Sequence, residues 1–259
     1  LYESQFGSSR VLVITGQAET TFYGKGLSYV HEAEKQIQML SSVCRRVESP
    51  RHISQLADSF QAVVSDMFTG RPQPGALEIP IDLQYANTKK VAIELPSDNI
   101  FEADPSVISR VADKIKEASK RIFVVGGGVI SSEATQELCE LAEQLDAPVL
   151  TTVDGRGVLP EDHRLCMGNY YNSAGIYSAI QDADLTIAIG TKFAVGVDGQ
   201  FHEHTRPGEL IQIDIDGNMI GRTHKAAIGV LSDAKSALNQ LKPLLSDCLL
   251  YTSDAADEG

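Results

Sequence analysis

No stretch of the chain approaches the roughly 20 consecutive apolar residues that a membrane-spanning helix needs. The opening LYESQFGSSR also lacks the basic-then-apolar pattern of a secretory signal. Lysine and arginine are few, 22 against 35 aspartates and glutamates, and they form no cluster. With a net charge of −13, neither nucleic acid nor an anionic membrane is an expected partner. Paired cysteines are missing as well, because Cys44, Cys139, Cys166 and Cys248 stand far apart with no CxxC spacing. Cys139, on an amphipathic stretch, and Cys166, in a short apolar run, read as small core residues rather than ligands. No metal site is therefore expected, and the cysteine usage suits a reducing cytoplasm. Internal repeats and low-complexity tracts are absent.

What is present is enough chain for one large domain or two ordinary ones, 259 residues with 42% hydrophobic content. The most informative segment is RIFVVGGG at 121–128, an apolar strand running into three glycines and then a helical pattern. Further apolar strands follow at PVLTT, LTIAIG, LIQIDI and AIGVL, separated by helical stretches over 132–145, near 173–181 and over 233–245. Uniformly apolar strands alternating with helices predict an α/β fold, a doubly wound parallel sheet in a three-layer, Rossmann-like domain. Ser131 or Ser132 is the expected N-cap of the helix after the glycines.

An earlier block holds VLVITG (11–16), a helix near 33–42, an extended SVCRRVE, a helix over 52–68 and GALEIPI. In the 52–68 stretch Ile53, Leu56, Phe60, Val63, Val64 and Met67 recur at spacings of three and four, which makes one face apolar. Residues 84–103 lack periodicity and read as a linker. Asp104 then caps a helix with Pro105 in its first turn and a stripe of Val107, Ile108, Val111, Ile115 and Ala118. The expected divisions are 1–83, linker 84–103, 104–245 and tail 246–259. Leu1 is not an initiator methionine, and we expect the chain to be cut upstream. CLLYTSDAADE (248–258) resembles the translation of a sequencing adapter, so the tail is expected to be non-native; Asp254, Asp257 and Glu258 supply three of its negative charges.

Parallel sheets bind ligands at the carboxyl ends of their strands, so candidates for contact with a cofactor gather there. Gly126, Gly127 and Gly128 would admit a phosphate to the N–H groups at Ser131 and beyond, or form a turn that binds nothing. The triplet lacks the third glycine of GxGxxG. Thr151, Thr152, Gly190, Thr191 and Lys192 lie at other strand ends, and Asp154 stands where a ribose hydroxyl could be met. Asp214 and Asp216 alternate with isoleucines; they could act as an acid/base pair or as metal ligands, but more readily accept hydrogen bonds from a ribose or from loop backbone. His31 and Glu32 follow a glycine-bracketed loop past a strand end, which raises the odds of a catalytic part for His31. His163 is expected to tie down a loop.

Taken in order, VLVITGQ, GKG…HE, GRPQPGALEIPID, VVGGG, APVLTTVDGRGVLPEDH, DADLTIAIGTKF and LIQIDID resemble the thiamine-diphosphate enzymes of the acetolactate synthase and 2-oxo acid decarboxylase superfamily. The resemblance implies that 1–83 is the back part of a pyrimidine-binding domain and 104–245 a whole central domain. It implies decarboxylation or carboligation of a small 2-oxo acid, with thiamine diphosphate and Mg²⁺ held mainly by segments outside this chain. The activating glutamate and the GDG…N magnesium motif of that family match nothing here, so the chain alone is expected to be silent. His31 matches a thiamine-site contact that is histidine in pyruvate-decarboxylase-like members, and it would relay protons after loss of CO₂. Flavin-binding members carry GxRFDDR where this chain reads GTKFAVG, and Lys192 lacks the arginine fork, which counts against FAD. The resemblance also implies a homodimer or homotetramer. Two rival readings are an NAD- or FAD-binding oxidoreductase module and a non-catalytic scaffold that keeps the central fold.

Overall fold

The computed structural model describes residues 1–94, 96, 100–169, 174–194 and 208–251. The chain divides into two compact units, Leu1–Asn99 and Ile100–Gly259. In the first, a short helix α1 (Tyr2–Phe6) precedes strand β1 (Leu12–Gln17), helix α2 (Gln36–Ser41), strand β2 (Arg46–Glu48), helix α3 (Leu56–Phe68), strand β3 (Gly75–Pro80) and a single turn α4 (Ile81–Gln84). The three strands form a parallel sheet in the order β1-β3-β2. Leu40 of α2 joins Cys44 and Ala76 in a small core on one face, while Val63, Val64 and Met67 of α3 are buried as their spacing foretold. The carbonyls at the end of α3 are gathered by Arg45, which pairs with Asp66 and donates to the carbonyl oxygens of Asp66, Thr69 and Arg71. Ile14, in the middle of the edge strand β1, remains 59% exposed.

In the second unit, helix α5 (Pro105–Glu117) starts where Asp104 accepts the Ser106 N–H at 2.8 Å, as the sequence indicates. Then come β4 (Arg121–Val125), α6 (Gly127–Ser131), α7 (Thr135–Leu145), β5 (Val149–Thr151), β6 (Cys166–Asn169), α8 (Ala174–Asp182), β7 (Leu185–Ile189), β8 (Glu209–Asp214), β9 (Ile228–Leu231) and α9 (Ala234–Leu241). All six strands are parallel, in the order β6-β5-β4-β7-β8-β9. Counted from β4 this is 3-2-1-4-5-6, the doubly wound arrangement, and the order reverses between β4 and β7. Alternate strand residues feed two cores. Phe123, Val125, Ile187 and Ile211 pack with α5, α7 and α9, whereas Ile122, Val124, Ala188 and Leu210 pack with Ile176 and Ile180 of α8.

The structure corrects the sequence reading at three places. The helix expected over 132–145 begins only at Thr135, as α7, after a separate short helix α6 over the glycines, and neither Ser131 nor Ser132 caps it at the N-terminus. The glycines themselves form the first turn of α6, and the Ser132 hydroxyl turns back to the Gly128 carbonyl at 2.8 Å and helps end that helix. Strand β6 was missed because CMGN carries a glycine at φ 81° and pairs with a register shift, both of which blur the strand pattern. Finally, α9 stops at Leu241 and continues as 3₁₀ turns over 242–251, since Pro243 has no N–H to extend an α-helix.

Candidate functional site

At the reversal point of the sheet the glycine triplet meets the end of β7, and the contact is backbone on backbone. Gly126 N–H donates to the Ile189 carbonyl at 3.0 Å and Gly128 N–H to the Gly190 carbonyl at 3.1 Å. A methyl group on Gly128 would stand 2.6 Å from the Gly190 Cα, and one on Gly126 only 2.3 Å from the Gly190 oxygen. Gly127 is less confined; its Cβ would lie 3.0 Å from the Cβ of Asp154, itself exposed on the turn after β5. These residues are glycine because a helix start and a strand end touch. The N–H groups of Gly126 and Gly128 are thereby spent on backbone carbonyls rather than offered to a phosphate.

The neighbouring strand ends are similarly occupied. Thr151 is buried and its hydroxyl donates to the Gly168 carbonyl at 3.3 Å, while Thr152 N–H donates to the Val125 carbonyl at 2.8 Å. Asp214 is 4% exposed and accepts the Asp216 N–H at 2.9 Å, and Asp216 in turn accepts from the backbone and side chain of Asn218. Both carboxylates thus accept hydrogen bonds from loop backbone. Lys192 follows Gly190 and Thr191 at the β7 end, where its carbonyl takes the Thr223 hydroxyl at 3.2 Å. Val195 and Gly196 of the GTKFAVG segment lie outside the described residues. Sequence reasoning missed Gln212, 1% exposed on β8. Its amide donates to the carbonyls of Thr191 and Met219 and accepts the Gly221 N–H at 2.8 Å, fixing two loops at this edge.

In the first unit, His31 stands exposed on the loop between β1 and α2 with φ 66°. Its imidazole makes no hydrogen bond to described residues. The loop around it is ordered by Phe22 stacked on Tyr29 with centroids 4.8 Å apart, and by Glu32, whose carboxylate accepts the Gly24 N–H at 2.7 Å. Its far end is pinned by Gln17, the last residue of β1. The Gln17 oxygen accepts the N–H groups of Ala18 and Ala33, at 2.8 and 3.3 Å, and its amide donates to the Ala33 carbonyl. Behind Gln17 lies Glu78 of β3, fully buried, one oxygen accepting from the amides of Gln17 and Gln36 and the other from the Ser49 hydroxyl. Neither Gln17 nor Glu78 was singled out from sequence, although a lone acid inside the apolar GALEIP strand was the available signal.

A cavity of about 800 Å³ in the same unit is lined by Thr20, Tyr23, Arg51, His52, Ser54 and Asp82. Asp82 accepts both the N–H and the hydroxyl of Thr20, at 3.0 and 2.5 Å. Burial acts to raise its carboxyl, but these hydrogen bonds outweigh burial and hold it below the ordinary value. A group depressed in the folded state adds stability above its unfolded value, and the gain is lost as pH falls through the folded value. Thr20→Val should therefore flatten the acid limb of a pH-dependent unfolding curve and leave the neutral limb lower; parallel curves for variant and wild type would contradict the assignment.

Cys139 and Cys166 are half-buried, and Cys166 packs against the main core. Burial, aided by Glu143 and Glu140, raises the Cys139 thiol above its usual value, so it stays protonated at neutral pH. Its sulfur lies 3.9 Å from the Nε2 of His163, which is itself 3.2 Å from Glu143, so the His163 segment is tied to α7.

The six parallel strands, their reversed order and the two-sided helix cover define a doubly wound α/β domain of the kind that sits at the centre of larger cofactor enzymes. The family described as thiamine pyrophosphate enzyme, central domain, matches residues 108–241, and the chain belongs to it. The probable acetolactate synthase large subunit of Methanocaldococcus jannaschii is 30% identical over 243 residues, covering 90% of this chain and 41% of that protein. Glyoxylate carboligase of Escherichia coli O157:H7 is 28% identical over 260 residues, 93% of this chain and 41% of its own. The crystal structure of benzoylformate decarboxylase from Polynucleobacter necessarius superposes with a TM-score of 0.77 at 22% identity, over 93% of this chain and 45% of that one, which shows the shared fold. The chain thus spans about two fifths of the length of the curated relatives it matches. Among the described residues no helix is long and apolar enough to cross a membrane.

Proposed function

We propose that this chain is part of an enzyme that uses thiamine diphosphate and Mg²⁺ to decarboxylate a small 2-oxo acid, with or without joining the product to a second carbonyl compound. The observation that carries this reading is similarity to acetolactate synthases across 90% of the chain, well beyond the central domain alone. Thiamine diphosphate, when bound, supplies the electron sink for loss of CO₂. His31 contributes an exposed imidazole with no hydrogen-bond partner among the described residues, suited to hold or move a proton. Gln17 and Glu78 position its loop. Gly126, Gly127 and Gly128 act with Gly190 as packing rather than as cofactor ligands. Thr151, Thr152, Lys192, Asp214 and Asp216 frame the sheet edge as scaffold, which favours a flavin-free enzyme. A dimer or tetramer belongs to the same proposal, supported by apolar side chains that this unit leaves in solvent, among them Ile14, Leu27, Val30 and Met39.

The test replaces the matching segment of the M. jannaschii relative with residues 1–245 of this chain. The folded chimera is expected to release CO₂ from pyruvate or another 2-oxo acid only with both thiamine diphosphate and Mg²⁺ present, while the chain alone releases none. His31→Ala in the chimera should lower kcat about tenfold or more with little change in cofactor affinity. A chimera that folds and binds thiamine diphosphate yet decarboxylates no 2-oxo acid would overturn the reading, and unchanged kinetics in His31→Ala would remove His31 from the chemistry.

A further inference from the structure

Cys139 and Glu143 stand one turn apart on α7, so their side chains leave the helix on the same side. His163 reaches the same spot from the segment between β5 and β6. Its Nε2 is 3.9 Å from the Cys139 sulfur and 3.2 Å from a Glu143 oxygen, and the three ligand atoms lie within 4.8 Å of one another. A tetrahedral ion with bonds of about 2.0–2.3 Å would set neighbouring ligand atoms about 3.3–3.6 Å apart; the His163–Glu143 pair already stands at 3.2 Å, and the Cys139 sulfur, 3.9 Å from the imidazole, would draw in by a side-chain adjustment. The sequence hides this grouping because His163 lies across a strand and a turn from α7.

We propose that Cys139, Glu143 and His163 form a site for one thiophilic divalent cation of the Zn²⁺ class, fastening the 160–165 segment to α7. One thiolate, one imidazole and one carboxylate suit a borderline-soft ion and not Mg²⁺ or Ca²⁺, which want oxygen throughout. The glutamate is 53% exposed, so water reaches the fourth position. Uptake exchanges protons in a defined way. The Cys139 thiol gives its proton to solvent as the sulfur binds. The Leu165 N–H now donates to His163 Nδ1 at 3.2 Å, which places the proton of the neutral ring on Nε2. Binding through Nε2 moves that proton to Nδ1 and ends two hydrogen bonds, from the Leu165 N–H to Nδ1 and from Nε2–H to Glu143, against the three bonds formed to the ion.

The experiment titrates the full chain, stripped with chelator and reduced, with Co²⁺ as a spectroscopic substitute for Zn²⁺. Expected are one ion per chain, a thiolate-to-cobalt band in the near ultraviolet, displacement by Zn²⁺ and a shifted Leu165 amide resonance. Cys139→Ser should abolish the band, and Glu143→Gln and His163→Gln should each weaken binding about tenfold or more. The last two alter the glutamate and the loop histidine and keep the test informative if the cysteine variant folds poorly. A band that survives Cys139→Ser, no band at all, or an unmoved Leu165 resonance during Co²⁺ uptake would each overturn the assignment. None of these readouts depends on thiamine chemistry.

Discussion

Gly128→Ala is expected to be among the most damaging single substitutions in the chain, costing roughly 3 kcal/mol through overpacking. Its new methyl would be driven to 2.6 Å from the Gly190 Cα, and Gly190 cannot retreat by rotating a side chain because it has none. Relief requires moving α6 away from β7, which breaks the hydrogen bond from Gly128 N–H to the Gly190 carbonyl. The second unit should melt about 6–12 °C lower, at roughly 2–4 °C per kcal/mol for a domain of this size. Gly127→Ala meets the Asp154 Cβ at 3.0 Å and its carbonyl oxygen at 3.3 Å, on an exposed turn, and should cost less. Gly157→Ala is the control. Nothing lies within 4 Å of its new methyl, and only the φ of +87° opposes it, worth about 1 kcal/mol. A melting temperature for Gly128→Ala within 2 °C of wild type, as an approximate threshold, would refute the packing account.

The contrast shows which parts of this molecule are written locally. Fold class was legible because a strand buried on both faces must be almost wholly apolar, and IFVV and, apart from Thr186, LTIAI meet that demand without reference to anything distant. The N-cap at Asp104 was legible for the same reason, since its partner is two residues away. The glycines were legible as a close approach, but what they approach was not. Gly190 is brought to them only by the pairing of β4 with β7. His31 was visible through its glycine-bracketed loop, whereas Gln17, Glu78, Gln36 and Ser49 come from four separate elements or loops and carry no shared spacing. Buried polar clusters of this kind depend on tertiary contact alone, so periodicity does not reveal them. Gln212 escaped for a related reason. In LIQID it reads as the polar member of an alternating strand, yet both faces of β8 are covered.

Replacing Glu78 separates charge from hydrogen bonding as the reason for its burial. Glu78→Leu would leave the Ser49 hydroxyl and one N–H of each of Gln17 and Gln36 without an acceptor, although both amides keep a backbone carbonyl, that of Ala33 and that of Gly16. At about 1 kcal/mol or more per stranded donor, the expected loss is about 3 kcal/mol. Glu78→Gln behaves differently. With its oxygen turned toward Gln17 and Gln36 it accepts both amides as before, and its own NH₂ can donate to the Ser49 oxygen, which accepts as readily as it donates. Every partner is then satisfied without a charge, and the variant should stay within about 1 kcal/mol of wild type by urea unfolding. The loop should report the same distinction. Protection of the Ala18 and Ala33 amides, both held by the Gln17 oxygen, should fall in Glu78→Leu and persist in Glu78→Gln. Equal losses in the two variants would mean that Glu78 is kept for its charge, acting on something beyond the three donors that now surround it.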